Sequence, residues 1–464
     1  MDPVKSENES AGRAAAMERF FSSPARHNRY RLVTSIGKGA YGDVVKAMDM
    51  NRNGAFVAIK RIRRVLETVP MAKRGLREVK FLRLLQGHEN IVAILDILIP
   101  SDPVFSDTFV VTELLPTDLG NLLVSKTELT HIHIKSFLYQ LLRAVHYMHQ
   151  CNVFHRDLKP SNILINEKCM LKVCDFGLAR AAFANDPDFS FWTNYVATRW
   201  YRAPELIVAH QKTGAAIDQW SVGCIFAEML RRGVPLFPGS SDWHQFQLIL
   251  QVTGRPTMTA ISKIRHPHAR AYALELPQFP VRPLESIFPE SSTLELDLLR
   301  KLLAFDPDER ISAEDAMRHP FFSTDPFYHN VRPAKTGSPI PREEFDFENM
   351  SSIQELRQDF IKEICIYHPE ISEEFPNEEG QPQHLYQYAQ VDEVTSRMES
   401  SETMHVTLPP ETFGRFVPHS ADPVRVSYAH AQPSLSNRDT PTRGRPPLPC
   451  ERPRTDFNVH LPKR

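Results

Sequence analysis

Three short segments near the start of the chain alternate or cluster β-forming residues between polar and glycine-rich turns. They cover residues 31–36, 43–48 and 56–62, and this pattern is typical of consecutive antiparallel strands. Apolar residues then recur every three or four positions within residues 73–85 and 134–149, which predicts two amphipathic helices. We therefore expect a β-rich part followed by a mainly helical part.

Further helical periodicity occurs later in the chain. Residues 294–303 and 313–318 form two helical runs, and the first is stopped by the turn-forming pair Asp306-Pro307. Residues 353–364 also place apolar side chains at helical spacing, so we expect this stretch to dock on the core as a helix.

The two ends of the chain lack such patterns. Residues 1–29 are polar and predict a flexible arm. In residues 376–464, 13 of 89 residues are Pro, and Leu, Ile, Val and Phe together make only 15. So few large apolar residues cannot offset chain entropy, which predicts a disordered tail. Residues 323–375 are then expected to form an extension that docks on the core.

Composition narrows the classes of protein. The 464 residues are 42% hydrophobic with a formal charge of -1, so we expect a large core in more than one lobe and no nucleic acid as a direct partner. The six cysteines include no CxxC pair, which disfavours a disulfide framework or a zinc site and favours a reducing compartment. Because no apolar run approaches the ~20 residues of a spanning helix, we predict a soluble protein of the cytoplasm, and possible entry into the nucleus.

The first motif that carries chemistry is glycine-rich. Glycines at three positions would let backbone N–H groups approach phosphates without a Cβ clash. A dinucleotide-binding turn is the rival interpretation, but that motif opens a helix, whereas β-forming sequence follows here. The motif reads Gly37, Lys38, Gly39, Ala40, Tyr41, Gly42, Asp43 and Val44.

The next strand carries a lysine within the sequence Val57-Ala58-Ile59-Lys60. An ammonium group at this place could hold the α and β phosphates of a nucleotide, with Glu78 of the first helix as its ion partner.

Phosphoryl transfer needs a cover for the phosphates, a fixed cation, metal ligands and an acid that faces the attacking hydroxyl group. A third group of motifs supplies the acid and the metal ligands. Asp157, in HRDLKPSN, is the candidate base, and Lys159 would neutralise the transferring group. Asn162 and Asp175, the latter in CDFG, offer the hard oxygen ligands that magnesium prefers.

Together these motifs resemble those of a protein kinase. The sequence TNYVATRWYRAPE, with Thr193 and Tyr195, resembles the corresponding segment of the mitogen-activated protein (MAP) kinases. The resemblance covers residues 30–322 and implies an α+β bilobal fold with a small lobe at 30–112, a hinge at 113–116 and a helical lobe at 117–322. It also implies a proline-directed Ser/Thr kinase in signal transduction that uses ATP and Mg²⁺.

The resemblance also assigns residue roles. Besides Asp157, Lys159, Lys60 and Glu78, it places Thr198 in the catalytic group. Asp218 would brace the catalytic loop, and Glu205 would pair with Arg310. The expected nucleotide-binding residues are Ile36, Gly37, Lys38, Gly39, Ala40, Tyr41, Gly42, Asp43, Val44, Ala58, Lys60, Glu113, Leu115, Asp118 and Leu164.

A switch by dual phosphorylation is implied as well, because each phosphate adds nearly two negative charges and needs arginine partners. Thr193 and Tyr195 would be the acceptors. The expected partners are Arg74, Arg77, Arg156 and Arg180 for the first phosphate, and Arg199 and Arg202 for the second. Expected protein partners are an upstream dual-specificity kinase, phosphatases, and substrates with Ser-Pro or Thr-Pro sites.

Three features depart from the family pattern. Asn194 stands where the main branches have Glu, Pro or Gly, which leaves activation by an upstream kinase and autophosphorylation both open. The spacing from Asp175 to Thr193 resembles the extracellular-signal-regulated branch, whereas Thr112 resembles a stress-activated one. The acidic docking patch expected after the core is replaced by the His-, Arg- and Lys-containing sequence DPFYHNVRPAKTG.

Two weaker alternatives stay open. A pseudokinase scaffold is the rival to an active enzyme, although such proteins usually lose the equivalents of Lys60, Asp157 or Asp175, and this chain keeps all three and Asn162. In the tail, Arg443, Pro446 and Pro449 fit an RxxPxxP ligand for SH3-type domains, and chance explains this match equally in so Pro-rich a segment.

Overall fold

The computed structural model describes residues 25–26, 29–39, 42–100, 105–125, 127–182, 198–208, 214–265, 267–275, 281–325, 328 and 335–372. The strands are β1 (Ala25–Arg26), β2 (Tyr30–Gly39), β3 (Gly42–Asp49), β4 (Ala55–Ile62), β5 (Ile94–Ile97), β6 (Ile99–Pro100), β7 (Thr108–Glu113), β8 (Thr117–Asp118), β9 (Val153–Phe154), β10 (Ile163–Ile165), β11 (Leu171–Val173) and β12 (Arg180–Ala181).

The α-helices are α1 (Val69–Leu84), α2 (Leu119–Val124), α3 (His131–Gln150), α4 (Pro204–Ile207), α5 (Ala216–Leu230), α6 (Asp242–Thr253), α7 (Met258–Ser262), α8 (Pro267–Glu275), α9 (Leu284–Ile287), α10 (Thr293–Leu302), α11 (Ala313–Met317), α12 (Pro320–Ser323) and α13 (Ile353–Tyr367). Among the described residues, all α-helices except α1 follow β7 in the sequence. Short 3-10 helices cover Met50–Arg52, Pro160–Asn162, Phe176–Leu178, Arg199–Tyr201, Arg342–Glu348 and Pro369–Ile371.

The small lobe is built on a five-stranded antiparallel sheet in the order β2-β3-β4-β7-β5. Alternation along β4 places Val57 and Ile59 in a buried cluster with Val45 and Phe109, so every second residue points to the other face. Lys60 is one of the residues on that other face, and it is directed toward Glu78 of α1.

Helix α1 begins after Thr68, whose hydroxyl accepts a hydrogen bond from the Met71 N–H as an N-cap. Its apolar positions Leu76, Val79 and Leu82 are buried, as its periodicity predicts. Burial of these residues orients the helix and therefore decides which way Glu78 points.

The large lobe packs around α3 and α5. A capping box starts α3, with Thr130 and His133 satisfying each other's backbone N–H groups. In α5, Trp220 and Phe226 are fully buried. The predicted α+β architecture, with a β-rich small lobe and a mainly helical large lobe, is confirmed.

Two small antiparallel sheets position the connecting loops of the large lobe. One has the order β11-β10-β8, and the other pairs β12 with β9. Residues 155–162 therefore lie between strands β9 and β10, and residues 174–179 between β11 and β12, so both loops are held at strand ends. Within the described part of the chain, no helix is both long and apolar enough to cross a lipid bilayer.

Candidate active site

The glycine-rich segment forms the tip of the β2–β3 hairpin, as its sequence predicts. Lys38 pairs with Asp43, and Gly39 pairs with Gly42, across the hairpin. A Cβ atom on Gly42 would collide with the carbonyl oxygen of Arg61 in β4, so only glycine allows this approach of backbones. Ala40 and Tyr41 lie outside the described residues. Ile36 is half-exposed and Val44 partly buried.

Lys60 lies in β4 directly opposite Val44 of the hairpin. Its Nζ is 2.5 Å from Oε1 of Glu78 and 3.7 Å from Oδ1 of Asp175. Although burial opposes it, the two carboxylates raise the pKa of Lys60. The lysine is thus held as a fixed cation at the place where a phosphate cover and two carboxylates meet. Ala58 lies two residues earlier on the same strand, opposite Thr112.

The loop between β9 and β10 brings three predicted residues together. Oδ2 of Asp157 lies 2.8 Å from Nζ of Lys159 and 3.2 Å from Nδ2 of Asn162. The Asn162 amide also donates to the Asp157 carbonyl oxygen at 2.8 Å. Burial raises the pKa of Asp157 although Lys159 opposes this. The arrangement can orient a hydroxyl group against a carboxylate that is flanked by a cation.

Asp218 of α5 holds the backbone of this loop in place. Its carboxylate accepts the backbone N–H of His155 at 2.9 Å and that of Arg156 at 2.8 Å, and it contacts Nε2 of His149 at 2.9 Å. Although burial opposes it, these donors, led by His149, lower the pKa of Asp218. Two backbone donors explain how Arg156 keeps a left-handed φ of 67°, which costs free energy for a residue with a Cβ.

Asp175 also has a left-handed backbone, with a φ of 64°. The adjacent Phe176 is fully buried, and its ring lies 5.0 Å from that of His155 and 6.5 Å from that of Phe81 in α1. Despite burial, Lys60 and nearby cations lower the pKa of Asp175 to about 2, so the group is a carboxylate at neutral pH.

The donor set at this point fits magnesium. The amide nitrogen of Asn162 faces Asp157, so its carbonyl oxygen lies on the opposite side of the group. Asp175 adds an ionised oxygen donor. Mg²⁺ usually takes only one or two carboxylate ligands from the protein and completes its shell with phosphates and water.

Two of the expected nucleotide-binding residues, Glu113 of the hinge and Asp118 just after it, bind other groups of the protein with their side chains. Oε1 of Glu113 accepts the Ala93 N–H at 2.7 Å and Nζ of Lys172 at 2.8 Å. Asp118 caps α2 by accepting the Asn121 N–H at 2.9 Å. Glu113 therefore ties the hinge to Ala93 and Lys172, and Asp118 fixes the start of α2.

Two further expected nucleotide-binding residues are Leu115, within the hinge, and Leu164 of β10. Leu115 is buried. Leu164 lies opposite Asp118 across the β8–β10 pair. The structure thus places them next to the carboxylates that hold the segment.

Comparison with known proteins agrees with this geometry. The family described as "Protein kinase domain" matches residues 30–322. The chain is 43% identical over 433 residues to "Mitogen-activated protein kinase 19" of Arabidopsis thaliana, covering 91% of this chain and 70% of the relative. It is also 47% identical over 359 residues to "Mitogen-activated protein kinase 8" of the same plant, covering 77% and 60%. "Mitogen-activated protein kinase 7" of Oryza sativa subsp. japonica is 43% identical over 405 residues, covering 85% and 70%.

The chain belongs to the MAP kinase family of Ser/Thr protein kinases. The resemblance inferred from its motifs is confirmed. The protein is therefore a Ser/Thr protein kinase of signalling, and membership of the family implies the use of ATP and Mg²⁺, upstream kinases and protein substrates.

The activation segment of this MAP kinase is only partly described. Thr193, Asn194 and Tyr195 lie outside the described residues. Thr198 is exposed and lines a cleft together with Asp157.

The arginines expected to bind the two phosphates have other partners in this structure. Arg199 and Arg202 both contact Oδ1 of Asp242, at 3.4 and 2.9 Å. Nη1 of Arg156 donates to the Leu178 carbonyl.

Two more of these arginines flank the loop that contains Asp175. Arg180 lies opposite Phe154 in the β9–β12 pair, which brings it beside the catalytic loop. Arg74 of α1 is one of the cations that lower the pKa of Asp175.

Arg77 makes the contact that sequence reasoning missed. Its guanidinium binds both carboxylate oxygens of Glu348, at 2.5 and 2.6 Å. Nζ of Lys73 donates to the Glu348 backbone carbonyl at 2.6 Å. Although burial opposes it, Arg77, followed by Arg180 and Lys73, lowers the pKa of Glu348. A carboxylate from the C-terminal extension thus stands among the expected phosphothreonine partners.

This contact is one of a series between the extension and α1. Nζ of Lys80 lies 2.9 Å from Glu363 and 3.1 Å from Asp359, and Arg83 contacts Glu363 and Glu344 at 2.7 Å each. The basic residues of α1 recur every three or four positions, and acidic residues recur in the extension. That complementary spacing is a sequence signal that indicates charge attraction between the two segments, but it does not determine which residues pair.

Proposed function

We propose that this chain is an active, proline-directed Ser/Thr kinase that is switched on by phosphorylation of Thr193 and Tyr195. One observation carries the catalytic part of the proposal. Lys60 contacts both Glu78 and Asp175, and Asp157, paired with Lys159, lies close enough to Asp175 for the two carboxylates to act on each other.

The residues of the site have separate roles in the proposed transfer. Asp157 orients the substrate hydroxyl group and accepts its proton on a carboxylate oxygen, and Lys159 offsets negative charge on the group being transferred. Lys60, held by Glu78, positions the α and β phosphates of the nucleotide.

The nucleotide and metal fit the same site. Asn162 and Asp175 would hold magnesium, and the β2–β3 hairpin would cover the phosphates. When bound, ATP supplies the phosphoryl group and Mg²⁺ offsets the charge on its phosphate oxygens.

A scaffold without catalysis is the alternative, and a transfer assay separates the two. Purified protein, phosphorylated on Thr193 and Tyr195, is incubated with radiolabelled ATP, magnesium and paired peptides that contain Ser-Pro or Ser-Ala. We expect transfer to the Ser-Pro peptide and its loss in Asp157→Ala. Equal transfer by wild type and Asp157→Ala would contradict an active enzyme, and equal labelling of both peptides would contradict proline direction.

The route of activation is tested separately. The wild type and Lys60→Arg are each expressed alone, and mass spectrometry then measures phosphate on Thr193 and Tyr195. Phosphate on both sites of the wild type only supports autophosphorylation. Its absence from both proteins, together with its appearance after an upstream dual-specificity kinase is added, supports activation in trans.

The proposal extends to the rest of the chain. Residues 30–322 would be the kinase domain, 323–375 an extension docked on it and 376–464 a disordered tail with a candidate SH3 ligand at Arg443, Pro446 and Pro449. Phosphatases would reverse the switch, in the cytoplasm or the nucleus. Labelled peptides that cover the tail, titrated with isolated SH3 domains, test that part: binding abolished by Pro446→Ala supports it, and the absence of binding contradicts it.

A further inference from the structure

One buried carboxylate of the small lobe receives donors from both ends of the described chain. Asp96, in β5, is 3% exposed. Its Oδ2 accepts the Tyr30 hydroxyl at 2.7 Å and lies 3.5 Å from Nη1 of Arg29. Its Oδ1 is 2.6 Å from Nε2 of His368. Tyr30 and Arg29 precede the glycine-rich hairpin, whereas His368 follows the last long helix.

The N-terminal partners are themselves fastened along this edge of the sheet. Strand β1 pairs with β6, which follows β5 after one residue. Arg29 also binds both oxygens of Asp49 in β3, at 2.7 and 2.6 Å. The segment that enters the kinase domain therefore lies along the same strands that bear Asp96.

The C-terminal partner belongs to a helix that also contacts α1. His368 ends α13, and its N–H donates to the Ile364 carbonyl at 3.0 Å. One turn earlier, Glu363 binds Lys80 and Arg83 of α1. The His368 contact is thus the outer attachment of an extension whose inner attachment is α1.

We propose that Asp96 is a shared anchor that couples the segment entering the kinase domain to the extension leaving it, so that loss of either tie loosens both. A buried carboxylate is tolerated when donors satisfy its oxygens, and it becomes costly when one of them is removed. Opening of the site to water relieves that cost, and opening also exposes the remaining donors.

The ring of His368 lies between two carboxylates. Its Nε2 faces Asp96, and its Nδ1 lies 3.3 Å from Oε1 of Glu370 in the following 3-10 helix. Only the imidazolium form donates from both nitrogens. Arg29 and Tyr30 share the carboxylate of Asp96 from the N-terminal side.

Other charged groups lie near this site. Tyr367 of α13 lies within the influence of Glu363, Arg83 and Asp96. The charged groups that act on His368 itself are the two carboxylates that face its ring, Asp96 and Glu370.

This geometry makes the anchor sensitive to pH. Although burial opposes it, the hydrogen bond to Asp96 raises the pKa of His368. A histidine whose pKa is raised on folding contributes its full stabilisation at pH values below its pKa in the unfolded chain, which is about 6.5. The contribution is lost as the pH rises through the folded pKa, so docking of α13 weakens from mildly acidic to mildly basic solution.

Hydrogen–deuterium exchange on the full chain tests the coupling. The variants are His368→Gln, which keeps a donor but cannot titrate, Tyr30→Phe and the double variant. We expect each single change to speed exchange about 3- to 10-fold in both 29–36 and 353–368, and the double variant to fall short of the product of the two. Arg29→Gln replaces Tyr30→Phe if the latter fails to fold, which is judged from its melting temperature.

The pH dependence gives an independent readout. Corrected for intrinsic chemistry, exchange in 353–368 of the wild type should rise from about pH 6 to about pH 8, and His368→Gln should show no such rise. His131→Gln, which alters an exposed histidine paired with Glu295 of the large lobe, is the matched control and should behave as the wild type. Single variants that loosen only their own segment, or a pH rise that persists in His368→Gln, would overturn the proposal.

Discussion

Arg77 of α1 and Glu348 of the C-terminal extension form a bidentate ion pair, with N–O distances of 2.5 and 2.6 Å. Arg77 is one of the residues that we expect to bind a phosphate on Thr193. The acid of the extension therefore holds α1 through a guanidinium that the proposed switch also needs. Because paired geometry makes such contacts strong, phosphorylation and the extension are expected to compete for it.

Replacement of this acid tests the competition. In the unphosphorylated protein, Glu348→Gln should lower the free energy of unfolding by about 1–3 kcal/mol, because it leaves a mostly buried guanidinium without its carboxylate. In protein phosphorylated on Thr193 the loss should be smaller, since the phosphate supplies a replacement anion. Chemical denaturation of the wild type and the variant in both phosphorylation states measures the two differences.

The control for this experiment is Glu343→Gln. Glu343 lies in the same 3-10 helix as Glu348 and is exposed, so its replacement should change stability by less than about 0.5 kcal/mol in either state. An equal loss for Glu348→Gln with and without the Thr193 phosphate would rule out competition for Arg77.

The pair of Lys60 and Glu78 leads to a prediction about activity. Glu78→Gln removes the charge that fixes the lysine, so kcat/KM per folded molecule should fall by about 10²–10³, and the melting temperature should fall as well because a buried ion pair loses one partner. Steady-state assays of phosphorylated protein measure this loss. The matched change Glu67→Gln alters an exposed acid just before α1, and it should leave kcat/KM unchanged. Wild-type activity in Glu78→Gln would show that Lys60 needs no partner.

Local sequence was sufficient to predict the parts of the site that lie on regular elements. The hairpin around Gly39 followed from glycines between β-forming runs, and Lys60 was singled out by its place in Val57-Ala58-Ile59-Lys60 on the strand after the glycine-rich segment. Asp157 and Asp175 were singled out by their motifs, and their catalytic and metal-binding roles stay predictions.

The contacts of the extension could not be predicted in the same way. The periodicity of 353–364 indicates which face is apolar, but Glu363 meets Lys80 only because the chain returns across 283 positions. Pairings at such a separation depend on tertiary packing and not on local propensity. The same holds for Asp96, an ordinary strand residue in the sequence that joins His368 to Tyr30 in the structure.

Glu363 provides a stability prediction with a defined pH dependence. Its side chain is 2% exposed, and although burial opposes it, Lys80 and Arg83 lower its pKa. A carboxyl group whose pKa is lowered on folding stabilises the folded state at pH values above its unfolded pKa of about 4.3. This stabilisation is lost as the pH falls through the pKa of the folded state.

Glu363→Gln should therefore cost about 3–5 kcal/mol at pH 7, and this cost should shrink below about pH 4. Urea denaturation at a series of pH values measures it. Glu314→Gln, which alters an exposed acid paired with Arg318, should show neither effect. A cost for Glu363→Gln that stays constant down to pH 3 would mean that the carboxylate charge is not what holds α13.

Gly75 shows how closely α13 approaches α1. A Cβ atom at this position would lie 2.9 Å from Cζ of Phe360 and would also collide with a methyl group of Val65. Alanine favours an isolated helix by about 1 kcal/mol over glycine. Gly75→Ala should nevertheless destabilise the full chain by about 1–3 kcal/mol because of overpacking.

A second background separates the two effects in the same denaturation assay. In Phe360→Leu, which removes the ring, Gly75→Ala should cost less than in the wild type. Gly214→Ala adds a methyl group where no atom lies within 4 Å, and it should be nearly neutral in both backgrounds. A stabilising Gly75→Ala in the wild type would mean that α13 is held less closely against α1 than these distances require, because the helix could then accept the methyl group without displacing Phe360.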